Sequence, residues 1–200
     1  YDSLTKIART KPTLDHLVKL YENGKISSAF PLDLDRKWEI AALLSRYQHP
    51  QAEAILKTMQ TVDTTDRGIR AALSVQAVGP DFERKKNWIR EFQILDSKRP
   101  LQEVQAVMFA LFPPEQARLR LRFDSTFYEF FAKYRNTEDQ YRASTFISGL
   151  LPLACEKEPA QRLKTTLNRY DDANPALKKN LLMSLDEDER CQRVRANAGI

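Results

Sequence analysis

Amphipathic helical spacing runs along this chain almost from end to end, and that leaves room for little besides packed helices. Ile40, Leu43, Leu44 and Tyr47 fall on one helix face, as do Ala52, Ile55, Leu56 and Met59. Trp88, Phe92 and Leu95 share a face, and so do Leu101, Val104, Met108 and Leu111. Leu119, Phe123, Phe127, Phe130, Phe131 and Tyr134 form a longer stripe. Ala143, Phe146, Ile147 and Leu150 follow, and Leu177, Leu181, Leu182 and Leu185 make the last. Strand-like alternation is confined to the short stretch 119–123. The spacing therefore predicts an all-α fold.

The breaks between stripes have a chemistry that fits helix ends. Pro50, Pro114, Pro159 and Pro175 suit the first helical turn, where a missing N–H is harmless. Asp35, Thr65 or Asp66, and Asp81 read as N-caps, because short oxygen-bearing side chains can accept from the free N–H groups. Gly24 and Gly79 suit reversals after helices. Helices of about 10–15 residues joined by short links become antiparallel neighbours, and a succession of such hairpins stacks as an α-solenoid of the HEAT or armadillo kind. No strict repeat is readable, and the segment 14–24 reads as the second helix of a pair that begins before it. Residues 1–200 read as part of one helical domain without an internal linker.

Composition narrows the function classes. The apolar runs are only a few residues long, so no membrane span is expected. The net charge is +5, yet 32 basic residues are interleaved with 27 acidic ones, and mixed charge such as that of 81–86 reads as a solvated face. The sharpest nucleic-acid hint is the comb Arg118, Arg120 and Arg122, with Arg99 upstream. Helical repeats that read RNA need the same side chains at a fixed period, and none is present. The comb reads instead as an interdomain or chamber-facing surface, and no nucleic-acid partner is expected. Cys155 and Cys191 lack a CxxC partner; one disulfide between them is the alternative, but they read as two buried thiols in a reducing compartment, which points to the cytoplasm.

A catalytic constellation cannot be assembled. His16 occupies a polar helix position, and His49 precedes a proline at a link, which reads as a surface turn. Neither belongs to H-E-x-x-H, which sets two imidazoles on one helix face for zinc. No Gly-rich phosphate loop or G-x-S-x-G elbow occurs. The acidic run 186–189 reads as an N-terminal cap of the last helix. Trp38, Trp88 and Phe131 read as core anchors rather than as stacking platforms for a ligand. No catalytic, cofactor-binding or metal-binding residue is assigned.

Three stretches in the first half carry a further signal: Asp33-Leu34-Asp35-Arg36-Lys37-Trp38, Asp63-Thr64-Thr65-Asp66-Arg67-Gly68, and 80–88, which runs from Pro80 through Lys85 and Lys86 to Trp88. Read in order, they resemble the C-terminal helical domain of the aminopeptidase N family of gluzincin zinc aminopeptidases. There a helix opens on an aspartate with a tryptophan a few residues in, and an Asp-x-Thr-x-x-Gly link follows. An alanine-rich helix then leads to a proline, a lysine and a second tryptophan. Further on, 108–112, Phe130-Phe131, 145–152 and 176–195 are similar to the family's later helices. The chain departs at Lys37, where the family usually has arginine, and over 90–103.

The resemblance implies a larger enzyme that removes N-terminal residues from peptides with zinc and a glutamate base. Its catalytic zinc domain would lie outside this chain. This domain would enclose the active-site chamber and control substrate access, with the catalytic domain of the same polypeptide and peptide substrates as partners. The competing reading is a free-standing helical-repeat scaffold for protein interactions.

Overall fold

A computed structural model describes residues 2–27, 30–93 and 98–199, and it is built almost wholly of helices. In chain order these are α1 (Asp2–Ile7), α2 (Lys11–Asn23), α3 (Leu34–Arg46), α4 (Ala52–Val62), α5 (Asp66–Val78) and α6 (Phe82–Phe92), followed by α7 (Leu101–Ala110), α8 (Ala117–Leu121), α9 (Asp124–Tyr134), α10 (Gln140–Leu150), α11 (Lys157–Arg169) and α12 (Pro175–Ala198). The all-α expectation holds. One feature escaped the periodicity: a small antiparallel ladder pairs Lys25–Ser27 (β1) with Phe30–Pro31 (β2). Its strands are too short for alternation to register. No described helix is long and apolar enough to cross a membrane.

The helix ends follow the capping chemistry, with corrections. Asp33, not Asp35, caps α3, accepting from Arg36 N–H at 2.9 Å. Asp35 lies one step inside, in the first turn, where its charge favours the helix dipole. Thr65 caps α5, and Asp81 accepts from Arg84 N–H at 2.7 Å to cap α6. Pro175 and Pro114 open their helical segments, and Pro159 lies in the first turn of α11. Pro50 instead stands in the turn before α4. Gly24 ends α2 at φ 65°, the left-handed conformation that glycine adopts without steric cost.

The chain divides into two compact units. The first comprises 1–88 and 99–111. Within it α3 packs on α5 and α5 on α7, while α4 leans against both α3 and α5. The core gathers Leu14, Leu17, Trp38, Ile40, Leu44, Ile55, Met59 and Val75. Ile40, Leu44, Ile55 and Met59 belong to the faces picked out by helical spacing, and Trp38 is one of the expected anchors.

Two polar residues of this unit depart from expectation. His49 is not on a surface turn but 9% exposed, with Nε2 2.9 Å from Asp15 Oδ1 and Nδ1 accepting from Gln51 N–H at 3.2 Å. The turn carries the ring inward, where these partners replace water. Lys85, from the charged stretch read as solvated, is completely buried. Its ammonium donates to the carbonyls of Ala77, at 3.1 Å, and Leu111. Those carbonyls lie at the C-terminal ends of α5 and α7, where the helix dipole is negative.

The second unit comprises 89–98 and 112–200. The stripe from Leu119 to Tyr134 is two helices rather than one, because the chain turns at Arg122 and Phe123 between α8 and α9. The stretch 119–123 is helix and turn, not strand. Phe131 is fully buried, its ring parallel to that of Phe127 at 6.2 Å, and Phe130 stacks on Phe146 at 4.0 Å. Of the face assigned to α6, Phe92 is buried and Trp88 half-buried, while Leu95 lies outside the described residues.

Near the chain's end the sequence reading needs two corrections. The run 186–189 caps nothing, since α12 continues through it for 24 residues. The i, i+4 partners Arg190 and Gln192 help to hold its carboxylates within the helix. Cys155 and Cys191 are not free thiols; they form a disulfide across 36 residues of chain. The alternative reading, a disulfide, is the one the fold realises.

Candidate functional site

The motif residues of the first half converge on one buried carboxylate. Asp63 ends α4, and its Oδ2 accepts from Trp38 Nε1 at 2.9 Å. Its Oδ1 accepts from the Thr65 hydroxyl at 2.6 Å and from Thr65 N–H at 3.3 Å. Thr65 Oγ1 in turn accepts from Gly68 N–H at 3.1 Å, which caps α5. A Cβ on Gly68 would stand 2.3 Å from the Asp63 carbonyl oxygen and 2.4 Å from its Cγ. Glycine is thus required by close approach. The Thr65 hydroxyl first, and the Trp38 indole second, hold the Asp63 carboxyl below the usual carboxylate range. The Asp-x-Thr-x-x-Gly spacing is a lock that fixes α3, α4 and α5 to one another.

Beside the lock runs a groove of about 820 Å³ between α5 and α7. Ala71, Ser74 and Ala106 lie at its floor, where small side chains let the two helices approach. Ser74 Oγ bonds the Ala106 carbonyl at 2.9 Å across that approach. Ile69 and Phe109 stand on the walls, 46% and 67% exposed. Around them are Asp66, Arg67, Arg70, Gln102, Glu103 and Gln105. Arg67 pairs with Asp35 of α3 at 2.7 Å, and Glu103 with Arg99 at 3.1 Å. Apolar walls flanked by amides and both signs of charge suit an extended peptide or a protein edge. They supply no nucleophile with an adjacent base.

Trp38 is buried and bonded to Asp63. Trp88 is half-buried, with the Arg99 guanidinium 5.5 Å from its ring centroid. Lys37, the departure from the aminopeptidase pattern, is half-buried beside Arg36, whose guanidinium pairs with Asp33 at 2.5 Å. The arginine comb does not form one face, because alternate residues of a helix point different ways. Arg118 is exposed and lies 3.6 Å from Glu156, and Arg122 is exposed. Arg120 turns inward to donate to the Leu153 carbonyl. Burial pulls its guanidinium below the ordinary arginine value, against the opposing pull of the Asp188 carboxylate.

In the second unit a groove of about 510 Å³ follows α11 beside Tyr128. Burial pushes the Tyr128 hydroxyl up to about 12, so it stays protonated at neutral pH and cannot serve there as a base. Among the described residues no three His, Cys, Asp or Glu side chains are gathered to hold a metal.

Sequence reasoning found the Asp63 lock as a spacing but not as a bonded network. It missed Asp188, His49 and Lys85, because burial of a charged side chain leaves no mark on local spacing. Comparison with models of known protein families finds no match, and no curated protein matches the chain.

Proposed function

We propose that this chain is a non-catalytic helical portion of a zinc aminopeptidase, enclosing the chamber in which N-terminal residues are released from peptides. The observation that carries the reading is the Trp38–Asp63–Thr65–Gly68 lock. Four of the residues on which the resemblance rests, drawn from two of its stretches, depend on one another physically, so their order and spacing behave as a unit. The stacking of α3, α5 and α7, with α4 against two of them, is the local arrangement that a solenoid of antiparallel hairpins requires. Chamber-facing contacts fall best on the α5–α7 groove rather than on the arginine comb. Zinc and the glutamate base belong to the catalytic domain of the same polypeptide. The cytoplasmic expectation rests on free thiols, and the Cys155–Cys191 disulfide takes that support away.

A free-standing protein-interaction scaffold is the second reading, favoured by the exposure of Ile69 and Phe109 beside a polar rim. The test is to read and express the complete polypeptide that contains this chain. An H-E-x-x-H segment with a downstream glutamate, stoichiometric zinc and release of N-terminal residues from peptides are expected. A complete polypeptide without that segment, without zinc and without peptidase activity would overturn the proposal and leave the scaffold.

A further inference from the structure

The Cys155–Cys191 bond joins the segment 151–156 to α12, and both cysteines are partly exposed. The same helix also holds that segment without the bond. Residues 188, 191 and 192 fall on one face of α12. Asp188 Oδ1 accepts from Cys155 N–H at 2.6 Å, and Oδ2 accepts from Gln192 Nε2 at 2.8 Å. The Gln192 amide also donates to the Glu156 carbonyl at 3.1 Å, and Arg120 donates to that of Leu153. Cys155 itself has φ 59°, a left-handed conformation uncommon for any residue with a side chain. Its N–H bond to Asp188 helps to keep it there.

We propose that Cys155–Cys191 is a reversible redox modification site whose disulfide and dithiol forms share one fold. A small-molecule or protein dithiol is the reductant. Its thiolate attacks one sulfur, expelling the other cysteine as a thiol and forming a mixed disulfide; its second thiol then attacks the reductant's own sulfur in that bond and expels the remaining protein cysteine. The reductant leaves as a disulfide, and the protein gains two electrons and two protons as two thiols. The polar clamp keeps the two Cα atoms near their present 5.5 Å, so the reduced pair suits a thiophilic ligand that takes two sulfurs.

The test uses the whole chain. After dithiothreitol treatment and its removal, the native protein should show two titratable thiols and an unchanged circular dichroism spectrum. It should bind one equivalent of phenylarsine oxide and re-form the disulfide with oxidised glutathione. Asp188→Asn and Gln192→Ala should each lower the equilibrium constant for re-forming the bond by about tenfold, the worth of one lost polar link. Loss of helix on reduction would overturn the proposal, as would thiols that stay inert in the native chain. So would re-formation unaffected by both substitutions. If a variant fails to fold, the thiol count and spectrum of the unsubstituted protein still decide the matter.

Discussion

Replacing Gly68 with alanine sets two physical effects against each other, and the structure says which wins. Gly68 lies in α5, where alanine is the better helix former by about 1 kcal/mol. Propensity alone therefore makes the variant more stable. The added Cβ, however, would meet the Asp63 carbonyl oxygen at 2.3 Å and its Cγ at 2.4 Å, distances that real Cβ atoms do not sustain. These atoms are backbone and a bonded carboxylate, not the free end of a flexible chain. Forcing such a shift costs about 1–3 kcal/mol. Displacing Asp63 also loosens its grip on Thr65, and losing that cap costs about 1 kcal/mol more. The net expectation is a loss of about 1–3 kcal/mol. Both tryptophans lie in the first unit, so urea unfolding followed by tryptophan fluorescence reports this unit selectively. A midpoint equal to or above that of the unsubstituted chain, with an unchanged slope, would refute the reasoning.

Trp38→Ala should lose about 3–5 kcal/mol, while half-buried Trp88 should lose clearly less, as the same denaturation assay reads. Lys85→Met fills the same space but removes the donor to the Ala77 and Leu111 carbonyls, for a loss of about 1–3 kcal/mol in that assay. The pH dependence has a definite sign: the Asp63 carboxyl is held below its ordinary 3.8, so its contribution is present above that value and lost as pH falls through the lowered one. Thermal unfolding of Asp63→Asn should therefore show a shallower acid decline than that of the unsubstituted chain. In the complete polypeptide, Phe109→Asp and Arg70→Glu in the α5–α7 groove should change the dependence of kcat/KM on peptide length while leaving bound zinc unchanged. A length profile identical to the parent's would remove the groove from the chamber.

Periodicity and capping, both local properties of the chain, were sufficient for most of the helices, though α1 left no stripe and no cap to read. Ala143, Phe146, Ile147 and Leu150 are buried where their spacing placed them, and Thr65 and Asp81 cap as their side chains allow. Spacing could not separate α8 from α9, because a turn at Arg122 and Phe123 keeps the apolar residues nearly in phase. Nor could it recover β1 and β2, whose ladder depends on a partner strand rather than on alternation. Of the candidate site, the Asp-x-Thr-x-x-Gly spacing was legible as a pattern. Its meaning was not, since Trp38 stands 25 residues from the carboxylate it bonds.

The sequence by itself determined most of the helical segments and several of their starts, because those choices are settled within a few residues by side-chain spacing and by oxygens that reach nearby N–H groups. Tertiary structure alone decided the fate of the polar residues. Lys85 reads like its charged neighbours, yet it is buried because two helices end where its ammonium can reach their carbonyls. Asp188 sits in an acidic run like its neighbours, yet it faces the backbone N–H of Cys155, brought to it from 33 residues away. Cys155 and Cys191 meet only because the chain between them folds back. Such pairings depend on distances between residues far apart in the chain, and no local pattern encodes a distance that exists only after the helices have packed.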